Sequence, residues 1–101
     1  MTEKEKKALI DTYALYLRMT AAGAKSLPVA LMGPEQAAGV EACIKDAAKM
    51  MTPLERFALQ GRIEGLSGSQ MAEISGYGRL TIYQAFNSAI QKIDFDVFKE
   101  D

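Results

Sequence analysis

The side chains best equipped for recognition chemistry fall between residues 79 and 91. Arg79 carries a planar guanidinium, and Gln84 and Asn87 carry amides that donate and accept side by side. On a helix, Arg79, Leu80, Tyr83, Gln84, Asn87, Ser88 and Gln91 share one face. The opposite face is an apolar stripe of Ile82, Ala85, Phe86, Ala89, Ile90 and Ile93. Such groups grip planar hydrogen-bonding partners; they do not cleave or transfer. Signals for catalysis are thin. The chain has no histidine, which removes the commonest general base and metal ligand. Cys43 is its single cysteine, so neither a disulfide framework nor a Cys-rich zinc site can form within one chain. Its place in a small-residue helical stripe marks a buried, inert thiol. Asp and Glu are scattered without pair spacing, and no glycine-rich phosphate cradle is present. The expectation is a non-enzyme that uses no cofactor and no metal.

The elements that must position this face are all helical by period. A helix over about Thr2–Thr20 carries an apolar stripe of Leu9, Tyr13, Tyr16 and Leu17, with Ile10 and Ala14 alongside. Thr2 and Glu5 form a capping-box pattern at its start. Gly23 and the Ser26-Leu27-Pro28 step end it, because the residue before proline leaves the α region. Residues 24–33 read as an apolar connector. A second helix is expected from Pro34 to about Met51, with Ala37, Val40, Ile44, Ala47 and Met51 inward. Thr52-Pro53-Leu54-Glu55 starts a third, presenting Leu54, Phe57, Ala58 and Gly61 inward and stopped by Gly65. Ser67 with Gln70 caps a short helix ending at Ile74 or Ser75, Gly76-Tyr77-Gly78 breaks the chain, and a last helix runs from about Arg79 to Ile93. No strand-period segment competes, so the fold class is all-α: a small multi-helix bundle with a C-terminal helix-turn-helix. The chain divides into a helical part over 1–51, a helix-turn-helix part over 52–93 and an apolar-acidic tail over 94–101.

The segment GSQMAEISGYGRLTIYQAFN, residues 68–87, carries the spacing of that motif. Two helices meeting across a short turn need a small residue where they approach, and Ala72 supplies it. Four residues on, the turn needs positive φ, and Gly76 supplies that. Ile82, Ala85 and Phe86 then drive inward. Through Arg79, Ile82, Gln84-Ala85 and Asn87, the stretch 77–87 resembles the recognition half of Cro-type and TrfB-type repressors of phages and plasmids. The wider window 52–93 is similar to the promoter-reading C-terminal domain of bacterial sigma factors. The matching residues are Thr52-Pro53-Leu54-Glu55-Arg56, Gly65-Leu66-Ser67, Ala72-Glu73, Gly76, Arg79, Ile82, Gln84 and Ala89. Where that pattern has an aliphatic residue this chain has Ser75, and several of the positions held by Tyr83, Ser88 and Gln91 usually carry Lys or Arg.

The resemblance implies a regulator of transcription, more often a repressor, bound to double-stranded DNA as a homodimer through the first helix or the tail. In that geometry the start of the recognition helix enters the major groove. Arg79 would pair with guanine O6 and N7, Gln84 or Asn87 with adenine N6 and N7, and Leu80 would meet a thymine methyl. Each bidentate pair discriminates by about 1–3 kcal/mol. Tyr83 joins the base-facing set, and its hydroxyl also suits a phosphate. Ser67, Ser69, Gln70, Thr81 and Ser88 would hold the phosphate backbone. The other expectation is a protein-interaction module that contacts RNA polymerase or another regulator through Leu80, Tyr83 and the tail.

Charge and length bound the remainder. One hundred and one residues make one domain, with 12 Lys and Arg against 13 Asp and Glu. Residues 1–52 hold seven cations and six carboxylates, residues 53–93 four and three, and the tail one and four. The acidic balance therefore comes from the tail, outside the motif. It suggests shallow salt dependence and weak non-specific binding. Lys4, Lys6 and Lys7 alternate with Glu3 and Glu5 as a solvated helix start. The six methionines read as core gap-fillers. In the tail DFDVFKED, Phe95, Val97 and Phe98 are too apolar for a free end and are expected to dock on the chain's own core or on a partner. Apolar runs fall short of about 18 residues, and MTEKEKK leads into no signal-peptide core. A cytoplasmic location away from the membrane is expected.

Overall fold

Local capping chemistry sets most of the helix boundaries. The computed structural model describes residues 1–23 and 32–95, and among these every regular element is a helix. They are α1 (Glu3–Ala21), α2 (Pro34–Ala48), α3 (Pro53–Glu64), α4 (Gly68–Ser75) and α5 (Arg79–Lys92). Reciprocal capping boxes start α1, α3 and α4. At α3, Thr52 N–H donates to Glu55 Oε1 at 2.7 Å while Glu55 N–H donates to Thr52 Oγ1 at 3.2 Å. The Thr2–Glu5 and Ser67–Gln70 pairs repeat this. α2 has Gly33 at its N-cap and Pro34 in its first turn, where a missing N–H costs nothing. Gly65 (φ +88°) and Gly76 (φ +79°) close α3 and α4 in the left-handed region, which glycine enters without a Cβ penalty.

Two boundaries differ from the sequence expectation. α2 stops at Ala48 rather than Met51, because Thr52 must be extended ahead of Pro53 to cap α3 and the preceding residues turn toward it. Met51 nevertheless reaches the core, while Met50 is 65% exposed. α1 runs to Ala21, with Gly23 at φ +82° just beyond it. The Ser26-Leu27-Pro28 step and most of the apolar connector lie outside the described residues.

α5 is the central element. It packs on α3, α4 and α1, and α1 also packs on α3 and α2. Its buried stripe is Ile82, Ala85, Phe86, Ala89 and Ile90, continued by Ile93 and by Phe95 past the helix end. Phe95 is fully buried, so the tail docks on the chain's own core at least that far; Val97 and Phe98 lie outside the described residues. α1 contributes Ile10, Tyr13 and Ala14; α2 contributes Ala37, Val40 and Ala47. Leu9, Tyr16, Leu17 and Ile44 pack around them, half-buried.

α3 departs from the expected inward set. Ala58, Leu59, Gly61 and Ile63 are buried, with Leu54 and Phe57 only partly so. Gly61 lets α4 come close, since a Cβ there would fall onto Met71 Sδ. Glu55 is buried as well, at 5% exposure. Its carboxylate accepts from the Ser88 hydroxyl and from Lys92 Nζ at 2.6 Å, so the cap of α3 is tied to the far half of α5. Burial alone would raise the Glu55 pKa. Hydrogen bonds from Lys92, Ser88 and Thr52 outweigh it and hold the pKa down at about 2, against an ordinary 4.5.

Candidate functional site

The exposed half of α5 is fixed by its buried half. Ile82, Phe86 and Ile90 lock its rotation, which turns Arg79, Leu80, Tyr83 and Gln84 outward over its first two turns. Leu80 is 69% exposed and Tyr83 53%. The turn ahead of them is held by Gly76, whose N–H donates to Ala72 O at 2.9 Å, and by Tyr77 N–H donating to Ser75 Oγ at 3.1 Å. Ala72 itself is half-buried. Arg79 Nη1 reaches back to Ser69 Oγ at 3.5 Å, a long contact that leaves most of the guanidinium uncommitted.

The other residues expected at this face are placed differently from one another. Thr81 and Gln91 are exposed. Asn87 is half-buried beside the start of α1, its Oδ1 covered and without a hydrogen-bond partner, rather than standing in the open. Ser88 is half-buried, and its hydroxyl is engaged by Glu55 instead of facing outward. The helix period could not show this, because the covering groups come from other helices. On α4, Ser67, Ser69 and Gln70 are exposed, with the Ser67 hydroxyl and Gln70 carbonyl spent on their mutual cap.

α1 runs antiparallel beside this face. Lys4 and Lys7 near its start border a groove of about 620 Å³ shared with Tyr83 and Asn87. Lys7 Nζ stands 5.2 Å from the centre of the Tyr83 ring, within cation–π range, and 3.2 Å from Glu3 Oε1. Farther along, Asp11, Ala14 and Arg18 wall a groove of about 740 Å³ against Arg62 of α3 and Arg79, Leu80 and Tyr83 of α5. Its floor includes Met71, Ile82 and Phe86. Arg62 holds Asp11 bidentately at 3.0 and 3.1 Å and lies 5.1 Å from the Phe86 ring centre. Hydrogen bonding to Asp11 raises the Arg62 pKa against the opposing effect of burial. Arg18 lies across the α3–α4 turn, its Nη1 2.7 Å from where a Cβ on Gly65 would stand.

Lys4, Lys7, Arg18 and Arg62 were not among the candidate residues from sequence. A signal was available: positions 4, 7, 11, 14 and 18 share one face of a helix. Its relation to α5 was not legible. The site brings together guanidinium, amide, phenol and ammonium groups, a set suited to binding planar edges and anions. Among the described residues no group of three or more His, Cys, Asp or Glu could hold a metal ion, and no helix is long and apolar enough to cross a membrane. Cys43 is half-buried, with burial first, then Asp94 and Asp46, pushing its thiol pKa up; this disfavours the reactive thiolate. Comparison with protein-family models, curated proteins and solved structures gives no match for this chain.

Proposed function

We propose that this protein binds double-stranded DNA in a sequence-specific manner and regulates transcription, with α4 and α5 acting as a helix-turn-helix and the first two turns of α5 reading the major groove. The observation that carries this reading is the outward set on α5. Leu80 and Tyr83 stand in water beside Arg79 and Gln84, on a helix whose opposite face is wholly occupied with the core. Folding gains nothing from that exposure. Base edges would use all four, with Arg79 donating twice to a guanine, Gln84 donating to and accepting from an adenine, and Leu80 as an apolar contact. Asn87 and Ser88 drop out of the central contact set, since one faces α1 and the other serves Glu55.

One motif makes few contacts, so a homodimer on paired half-sites belongs to this reading, as do repression and the phage or plasmid setting that the resemblance implies. Leu15, 40% exposed on α1, is available to such an interface; Phe95 is already buried in its own chain. The test is selection from a random duplex pool, followed by binding of Arg79→Ala and Gln84→Ala to the selected site. Each change is expected to cost about 1–3 kcal/mol and relax preference at one or two positions. Unchanged binding by both variants would overturn the assignment.

A second reading rests on Ile74 at 65% exposure and Tyr77 at 53%, which add apolar surface at the end of α4 and in the turn. They suit a contact with RNA polymerase or another regulator. A salt titration separates the readings, because phosphate binding must release counterions and a protein contact on this surface need not.

A further inference from the structure

We infer that α1 is part of the DNA-binding surface: Lys4, Lys7 and Arg18 form a cationic rail along one side of α5 that holds the phosphate backbone without regard to sequence. This inference rests on the DNA reading above and assigns a role to the N-terminal part, which the motif leaves unexplained.

The rail follows from packing. Lys4, Lys7 and Arg18 share a helical face, and that face borders both grooves between α1 and α5. Two carboxylates border these grooves: Asp11 is claimed by both nitrogens of an Arg62 fork, and Glu3 pairs with Lys7 at 3.2 Å, which leaves little free negative charge beside Lys4 and Arg18. Together the two grooves gather five cations against two carboxylates, Glu3 and Asp11, on a chain of net charge −1. The positive charge is concentrated where α5 is open.

The dimensions suit a backbone wall. Packed helices have axes about 8–10 Å apart, and the major groove is about 12 Å wide. A helix beside one seated in the groove therefore lies over its phosphate edge. From Lys4 to Arg18, α1 rises about 21 Å, enough to follow several phosphates. Lys7 and Arg18 are also steadied, one over the Tyr83 ring and the other across Gly65, which lowers the entropy lost on binding.

The rail changes what the net charge implied about salt. Each phosphate neutralised contributes about 0.9 to the slope of log K against log salt. The triple variant Lys4→Gln, Lys7→Gln, Arg18→Gln is expected to lose about 2–3 from that slope. Its affinity should fall alike for the selected site and for an unrelated duplex, while the order of preference among sequences persists. The charge-keeping variant Lys4→Arg, Lys7→Arg, Arg18→Lys should retain the wild-type slope. Arg18→Gln alone, on an exposed side chain, should lose about 1 and serves if the triple variant fails to fold. A wild-type slope in the neutral variants, with preference still relaxed by Arg79→Ala and Gln84→Ala, overturns the rail and leaves the DNA reading standing. If the wild-type protein binds no duplex even at low salt, both fall together.

Discussion

Glu55, in the first turn of α3, and Lys92, at the last residue of α5, meet at 2.6 Å across 37 positions of sequence. The carboxylate is 5% exposed, whereas Lys92 keeps about a third of its side chain in solvent and also donates to Met50 O. The pair closes the α3–α5 interface at the end opposite the proposed base-reading turns. Because the same carboxylate caps α3, losing its charge weakens a helix start and a helix–helix contact together.

The pH dependence follows from this pair. The folded pKa of about 2 lies below the ordinary 4.5, so the stabilisation is fully present above about pH 5 and is lost as pH falls toward 2. At about 1.4 kcal/mol per pKa unit the full term is roughly 3 kcal/mol, and solvent around Lys92 reduces it toward 2. Denaturant titrations of the wild type between pH 7 and pH 2.5 should show that decline. Glu55→Gln should be less stable at pH 7 and flatter over the same range. A Glu55→Gln protein with the wild-type acid profile would show that other carboxylates carry it.

Gly61 should resist substitution despite its helical position. Alanine gains about 1 kcal/mol of helix propensity, but its Cβ would stand on Met71 Sδ, and Met71 is itself 4% exposed with little room to retreat. Gly61→Ala is expected to lose a net 1–2 kcal/mol, roughly 4–12 °C in Tm for a domain of this size. Met71→Ala alone should cost about 2–5 kcal/mol as a core truncation, and the double variant should lose less than the sum of the two. A double-mutant cycle by thermal denaturation measures the coupling, and additive effects would disprove the clash.

Phe95 tests the docking of the C-terminal segment. It is fully buried just beyond α5, so Phe95→Ala should cost about 3–5 kcal/mol. Urea unfolding should show a lower midpoint with little change in slope. A loss below 1 kcal/mol would mean that the segment contributes little to the fold.

The helix starts were legible because their causes are local. Thr2–Glu5, Thr52–Glu55 and Ser67–Gln70 are contacts three residues apart, and Gly65 and Gly76 answer demands of their own backbone. The inward stripe of α5 was legible for the same reason, being a matter of helical period. The sequence marks Glu55 only as a cap, since its burial depends on Ser88 and Lys92 arriving from another helix. Helical period alone puts Asn87 and Ser88 on the open face, because it counts residues on one helix and carries no information about what covers them.

The sequence by itself therefore determined the helical character of the described residues, the capped boundaries and the side chains that α5 turns away from the core. The tertiary structure decided which of those side chains stay open and set α1 beside them. It also drew Arg18, Arg62 and Arg79 from three helices into one groove. The physical reason is range. Caps and periods act within one or two turns, whereas burial and charge clustering arise only when segments tens of residues apart compete for the same core.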